Sequence, residues 1–340
     1  MSRERSLRAG LIGLGSMGRN HARVLHGLEG VELAGVADPV AAADGAPGSV
    51  PVFRTVADLV AEGIDYAVVA CPTALHEEVA LELAGHGVHA LIEKPIAPSV
   101  RSAGIITRAF AEAGLVAGVG HIERYNPALR ELRARLDMGE LGDVHQVVTR
   151  RQGPFPARIA DVGVVYDLAT HDIDLTAWLT DSHYESVASA TVSRSGRVHE
   201  DLVAFVGHLS SGAVTSHLVN WLSPLKERVT IVTGEHGCFV ADTLTADLWF
   251  YANGSRPTEW EGLRQFRGVS EGDVTRYAIV KREPLLVEHE TFRDAVLGKE
   301  ADIVTLEQAT GTVAVAEAVL EAAAEQAGVP VGPVRPVASV

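Results

Sequence analysis

The sequence predicts two domains: an α/β unit built on a parallel sheet, then an α+β unit with a large, mostly antiparallel open sheet. Three observations carry this. At 340 residues the chain exceeds what one hydrophobic core usually holds. Up to about residue 120, short apolar strand patterns alternate with helical ones. Beyond that point strand-like runs follow one another across Gly, Ser, Asn and Asp turns, with little helix between them.

"LRAGLIGLGSMGRNHARVLHGL" begins as a buried strand, turns through glycines and becomes helical, and "VELAGVAD" is the next strand. "TVADLVAEG" is a helix, "IDYAVVACP" a strand closed by proline, "ALHEEVALELAGHG" a helix and "VHALIEKP" a strand. "SVRSAGIITRAFAEAG" and "LVAGVGHIERYNP" add a further helix and strand, which makes residues 1–122 the first domain. Residues 123–340 form the second. It opens with the helical "PALRELRARLDMG" and continues through strands such as "DVHQVVTRRQG", "HEDLVAFVGHLSSG" and "ERVTIVTGEHG". "LLVEHETFRDAVLG" and "TLEQATGTVAVAEAVLEAAAEQAG" supply terminal helices, a segment expected to pack back on the first domain. A sheet with one uncovered face needs another layer or another subunit, so a homodimer or homotetramer through this sheet is expected.

Composition narrows the function classes. Hydrophobic residues make up 47% and charged residues 21%, an ordinary globular balance. The formal net charge is −15 and no basic stripe appears, which argues against nucleic acid as the main partner. Cys71 and Cys238 have neither metal spacing nor a disulfide framework and read as small buried hydrophobes. "MSRERSLRAG" has no apolar signal core, and no apolar run is long enough to span a bilayer, so the cytoplasm is the expected location and no membrane partner is expected.

The first chemical motif is Gly13-Leu14-Gly15-Ser16-Met17-Gly18. A bare GxGxxG is weak, but this one follows a strand and opens a helix, the context of a dinucleotide-binding Rossmann fold. Gly13 takes the tight turn, Gly15 lets backbone approach a pyrophosphate and Gly18 allows helix–strand packing; Ser16 and Met17 offer N–H groups at the helix start. Asp38 lies 20 residues after Gly18. It suits an adenosine ribose and repels a 2′-phosphate, which favours NAD over NADP; the alternative is a turn aspartate bonding its own backbone. "ACPTALHEE" and "LIEKPIA" each follow a parallel strand and so fall at the ligand edge of the sheet. Thr73 either lines the cofactor path or caps the next helix, and His76 is either a cofactor contact or a helix-surface residue. Glu93 and Lys94 sit beside the cofactor, where the lysine can hold a substrate hydroxyl and stabilise negative charge growing on its oxygen; a surface Glu–Lys pair is the alternative.

These segments, together with "GVADP" and "YDLATHDIDLTAWL", resemble the glucose–fructose oxidoreductase, inositol dehydrogenase and rhizopine-catabolism (Gfo/Idh/MocA) superfamily. The likeness covers nearly the whole chain and is most specific in "EKP" combined with D-x-x-x-H-D-x-D. "GHIERYNPAL" and "NWLSPLKERVTIVTGEHG" narrow it to a branch similar to UDP-N-acetylglucosamine 3-dehydrogenases and related nucleotide-sugar oxidoreductases. The resemblance implies Lys94, Asp167 and His171 as catalytic residues, with the same three contacting substrate. It implies Arg124 and Asn126 as further substrate contacts, although a structural salt bridge is nearly as good a reading of Arg124. It departs from the branch at Tyr125, usually Phe, and from the family at Cys71, where small hydroxyl residues are common.

If "VVYDLATHDIDLTAWL" is helical, Asp167 and His171 are four apart and share a face, Asp174 is near them, and Asp172 points away. Leu168, Leu175 and Leu179 mark a packing stripe. His171, with an ordinary pKa of about 6.5, is suited to take a hydroxyl proton as hydride leaves the same carbon. Asp167 would orient its imidazole or meet a neighbouring hydroxyl. No metal is expected, because the three groups lack a recognised ligand spacing and hydride chemistry needs none. The reading is an NAD-dependent dehydrogenase acting on a sugar, nucleotide-linked or amino. The alternatives are an inositol or free-sugar dehydrogenase, or a non-catalytic dinucleotide-binding regulator.

Overall fold

The structure, a computed structural model, describes residues 6–42, 45–155, 162–254 and 272–325. The first residues of the charged N-terminal stretch and the end of the predicted second domain, 326–340, lie outside the described residues.

Among the described residues, β1 (Leu7–Ile12), β2 (Val31–Ala37), β3 (Val52–Phe53), β4 (Tyr66–Val69), β5 (His89–Glu93) and β6 (Ala117–Gly120) form one sheet in the order β3-β2-β1-β4-β5-β6. Every pairing in it is parallel. Helices α1 (Ser16–Gly27), α2 (Val56–Ala61), α3 (His76–Gly85) and α4 (Val100–Ala113) connect the strands. Burial on both faces explains the near-continuous apolar strands: all four residues of β4 are buried, as are Ala90, Leu91 and Ile92 of β5. Local signals set the helix ends. Thr55 and Ser99 accept hydrogen bonds from the backbone N–H groups of Asp58 and Ser102, and Gly114 ends α4 in the left-handed region at φ 64°. The strand order reverses between β1 and β4, which opens a crevice at the carboxyl edge of the sheet.

The second unit starts with α5 (Pro127–Asp137), where Asn126 is the N-cap and Pro127 holds the first turn. Then follow β7 (Val144–Pro154), a π-helical turn at Val165–Ala169, and α6 (Thr170–Thr180). β8 (Tyr184–Val192), β9 (Leu202–Leu209), β10 (Val214–Asn220), β11 (Leu222–Gly234), β12 (Gly237–Asp242), β13 (Asp247–Ala252) and β14 (Val274–Arg276) complete it. Among the described residues the sheet order is β14-β13-β12-β11-β7-β10-β9-β8. Only β7 and β10 pair parallel there; the other neighbours are antiparallel. β9 alternates strictly: Val203, Phe205 and Leu209 are buried while Ala204, Val206 and His208 are exposed, so one face is covered. On the covered face Leu129 and Leu132 of α5 and Leu175 and Leu179 of α6 pack with Val147, Val232 and Phe239. Of the predicted packing stripe, Leu168 joins a different cluster, with Val165, Ile173 and Phe205.

The last two helices, α7 (Pro284–Val296) and α8 (Leu306–Glu325), return to the first unit. Phe292 enters its core edge-on to Tyr66, ring centroids 5.5 Å apart. Leu306, Ala309 and Val313 pack with Ile106 and Phe110, whereas Ala316 and Val319 pack with Val165, Ile173 and Phe205. One helix thus buries two stripes, one against each unit. Among the described residues no helix is long and apolar enough to cross a membrane.

Candidate active site

The crevice at the switch point is a cleft of about 1000 Å³ lined by the glycine turn, Asp38, Thr73, His76, Glu93, Lys94, Asp167 and His171. At one end is the glycine turn. Gly13 stands at φ 93°, and a Cβ there would fall 2.7 Å from the Ala70 carbonyl oxygen. A Cβ on Gly18 would fall 2.0 Å from the Gly13 carbonyl oxygen, so the helix could not close on the turn. A Cβ on Gly15, by contrast, would meet nothing within 4 Å. The turn is crowded towards the protein and open towards the cleft, and α1 begins with no side-chain cap on its first N–H groups. Those features fit a pyrophosphate, with Gly13, Gly15, Ser16 and Met17 holding it.

Asp38 ends the adjoining strand and is 8% exposed. Its Oδ2 accepts from Leu14 N at 2.7 Å, and its Oδ1 accepts from Val40 N at 2.9 Å and Ala41 N at 2.8 Å. Burial alone would raise this carboxyl, but those three donors together hold it below the usual aspartate value. Asp38 thus bonds its own backbone while also lining the cleft, and it ties its loop to the glycine turn. Arg54 closes the same loop through the Pro39 and Ala41 carbonyls, at 3.0 and 2.9 Å.

At the other end, Lys94 leaves β5 and donates to Asp167 twice, to the carbonyl oxygen at 2.6 Å and to Oδ1 at 3.1 Å. The π-helical turn exposes that carbonyl, because it breaks the regular helical bonding around Asp167. Of the two roles expected for Asp167, orienting His171 is not the one its hydrogen bonds serve: they hold the lysine. Asp167 Oδ2 and His171 Nδ1 are both buried without a hydrogen-bond partner among the described residues. His171 keeps partial exposure at the cleft floor. Burial first, then the positive charges of Lys94 and Arg151, push the His171 imidazole well below its usual pKa. The ordinary value of about 6.5 expected from the sequence is therefore corrected downward, in favour of the neutral ring.

Behind His171, two buried ion pairs clamp α6. Arg151 of β7 bonds Asp172 at 3.0 Å and Glu123 at 2.7 Å. Arg124 holds Asp174 with two bonds, 2.8 and 2.6 Å, donates to Gln308 at 3.0 Å and lies 5.9 Å from the Trp178 ring. His121 stands edge-on to His171 with centroids 6.5 Å apart, and 3.8 Å from Asp174. Arg124 and Asn126 are thus set apart from the cleft: Arg124 is a structural salt bridge, and Asn126 caps α5 and donates to the Thr243 carbonyl at 3.0 Å. Asp172 points away from the cleft, and Asp174 supports it from behind.

His76 is 1% exposed, which corrects its reading as a surface residue. Its ring nitrogens face the Pro95 and Cys71 carbonyls at 3.1 and 3.0 Å and brace two strand-end loops together. Thr73 lines the cleft; neither its turn nor α3 has a side-chain cap, so the capping alternative falls. Burial pushes the Cys71 thiol up to about 11, which leaves it inert. Sequence reasoning missed His21, His121, Arg151 and His289. His21 had one local signal: it lies three residues beyond Gly18, on the helix face that must meet the sheet.

A sheet that reverses at a glycine turn, with a lysine and an imidazole gathered on the far rim of the same crevice, defines a class: two-domain oxidoreductases that work through a bound dinucleotide. Residues 7–121 match the model described as "Oxidoreductase family, NAD-binding Rossmann fold", and residues 129–240 match the C-terminal domain model of the same family. The chain belongs to the Gfo/Idh/MocA family of oxidoreductases, and its first domain is the NAD-binding one. It is similar to the UDP-N-acetylglucosamine 3-dehydrogenase of Acidithiobacillus ferrooxidans, 35% identical over 190 residues that cover 55% of this chain and 58% of that enzyme. The solved structure of that enzyme superposes with a TM-score of 0.82 at 27% identity, over 93% of this chain and 97% of that one. A scyllo-inositol 2-dehydrogenase of Bacillus subtilis is 28% identical over 195 residues, covering 54% of this chain and 57% of the enzyme. In sequence, then, the chain matches less than two thirds of either curated enzyme. An aldose–aldose oxidoreductase of Caulobacter crescentus shares the fold at 18% identity and a TM-score of 0.81, over 94% of this chain and 98% of that one.

Proposed function

We propose that this protein is an NAD-dependent dehydrogenase that oxidises a secondary alcohol of a sugar, most readily a nucleotide-linked or amino sugar. The observation that carries the reading is Lys94, fixed by two bonds to Asp167 on the turn that leads into His171, at the rim of the glycine-turn cleft. The chemistry supplied by NAD, when bound, is acceptance of a hydride from the carbinol carbon. His171, neutral, takes the hydroxyl proton, and Lys94 lowers the cost of alkoxide-like charge on that oxygen. Asp167 holds the ammonium in place, and its Oδ2, without a partner among the described residues, offers an acceptor to a neighbouring hydroxyl. Hydride and proton leave the same C–O–H unit, which becomes a ketone. Asp38, at the opposite end, selects NAD over NADP by repelling a 2′-phosphate. The likeness at 35% identity to an enzyme named for a UDP-sugar favours the nucleotide-linked class. A panel of UDP-sugars, free sugars and cyclitols, scored by NADH formation, tests this. Turnover confined to inositols or free sugars would replace the substrate class, and NAD binding with no turnover on any of them would make the protein a regulator.

The protein is proposed to self-associate through the outer face of the second sheet, where Val206 and Val214 are 47% and 37% exposed. Light scattering of the purified protein tests it; a monomer at micromolar concentration would refute it. Two free cysteines fit a reducing compartment, and the cytoplasm is the proposed location, to be checked by cell fractionation.

A further inference from the structure

Glu93 ends β5 beside Lys94 and lines the cleft, yet its carboxylate does not pair with the lysine ammonium, which turns to Asp167. Its Oε1 lies 2.8 Å from His21 Nε2 on α1, and its Oε2 accepts from Lys94 N at 3.1 Å. His21 Nδ1 in turn lies 2.8 Å from His289 Nε2 on α7. Both imidazoles are 0% exposed. A carboxylate can only accept, so Nε2 of His21 donates to Glu93, and its Nδ1 shares one proton with Nε2 of His289. The bonds link the C-terminal helix through the first helix to the strand end. Burial holds His289 well below the usual imidazole range, and burial together with Glu93 pushes the neighbouring Glu288 well above the usual carboxylate range. Lys94 is paired with Asp167, and Glu93, held below the usual carboxylate range against its burial by the His21 hydrogen bond and the charges of His21 and Lys94, lines the same cleft.

Nothing in the proton and hydride transfer uses this chain of groups. Four buried titratable side chains where apolar ones would pack are costly unless they serve the site. We propose that His21 and His289 are positioning residues that fix Glu93 as an anion beside the nicotinamide end, so that the cleft binds the oxidised, cationic ring more tightly than the reduced, neutral one. This rests on the reading that Lys94 and His171 mark the hydride-transfer end.

The test measures dissociation constants for NAD⁺ and NADH separately on the full-length protein, by calorimetry and by NADH fluorescence. Glu93→Gln should raise the ratio Kd(NAD⁺)/Kd(NADH) about tenfold, the loss of one near charge in a low-dielectric site. His21→Phe should move the ratio in the same direction by a smaller factor. His21→Gln and His289→Gln place a carboxamide where Nε2 stood and should keep the ratio within about twofold of wild type. If Glu93→Gln and His21→Phe weaken both forms equally, the network is merely structural and the proposal falls. If His21→Phe does not fold, Glu93→Gln alone decides between these outcomes. Wild-type protein that binds neither form would overturn the cofactor reading itself, a result distinct from a ratio that does not move.

Discussion

The two ends of the cleft are built by opposite means. At the glycine turn, the Asp38 carboxylate has three N–H partners, one of them Leu14, which fixes the turn's shape while the first N–H groups of α1 keep no side-chain cap. At the lysine end, the groups come from β5 and from a turn 73 residues later, and they are held by arginines from still other elements. There two buried polar atoms, Asp167 Oδ2 and His171 Nδ1, remain without partners among the described residues. The glycine-turn end offers backbone N–H groups, and the lysine end offers buried side-chain atoms. A site that must grip a reacting hydroxyl keeps donors and acceptors in reserve, whereas a turn that presents backbone to a phosphate needs only its own shape.

Substitutions at the two ends should therefore separate turnover from binding. Lys94→Ala removes the charge proposed to face the developing oxyanion, and kcat should fall by about 10³ while NAD affinity, by titration, changes little. His171→Ala should lower kcat by about 10² or more, again sparing NAD affinity. A loss of cofactor binding as large as the loss of turnover in either variant would erase the distinction between the ends. Arg124→Ala leaves Asp174 buried and unpaired and should cost about 3 kcal/mol of stability in denaturant unfolding. If stability held and only KM for the sugar rose, Arg124 would belong to the substrate site after all. Asp38→Ala should weaken NAD modestly and relax its preference over NADP, with a loss of about 1 kcal/mol from the freed N–H groups. An unchanged NAD/NADP preference would show that Asp38 serves the loop alone.

The smallest effect concerns acid. Burial lowers His171, His289 and His217, the last to about 3, below the unfolded-state value of about 6.5. Between those values the unfolded chain binds more protons, so this stability is full above pH 6.5 and is lost as pH falls towards 3. His217→Gln should flatten that decline, read as the slope of unfolding free energy against pH. His217 lies between Thr149 and Tyr184, far from the cleft residues in sequence, so an equal slope would assign the acid sensitivity to the site histidines.

Much of this was legible in order along the chain. The alternation of strand and helix, the glycine turn and its acidic partner 20 residues on are local patterns, because backbone geometry and strand burial act over a few residues. The "EKP" and "D-x-x-x-H-D-x-D" segments marked Lys94, Asp167 and His171, and those three do line one cleft. What the spacing misjudged was who holds whom. Helical periodicity paired Asp167 with His171, but the π turn and a lysine from β5 drew Asp167 to Lys94. Arg124 suited either a ligand or a salt bridge by sequence, and Asp174 placed against it makes the salt bridge.

The sequence by itself determined the two domains, the cofactor turn and the residue types of the chemistry, since those rest on periodicity and on neighbours in the chain. Only the tertiary structure decided the proton states and the pairings. His171 is held low by its burial and by the cations of other strands, and Glu93 is held by His21 of α1, which is itself bonded to His289 of the C-terminal helix α7. Electrostatic interactions depend on distance and dielectric, and neither exists until the chain has folded.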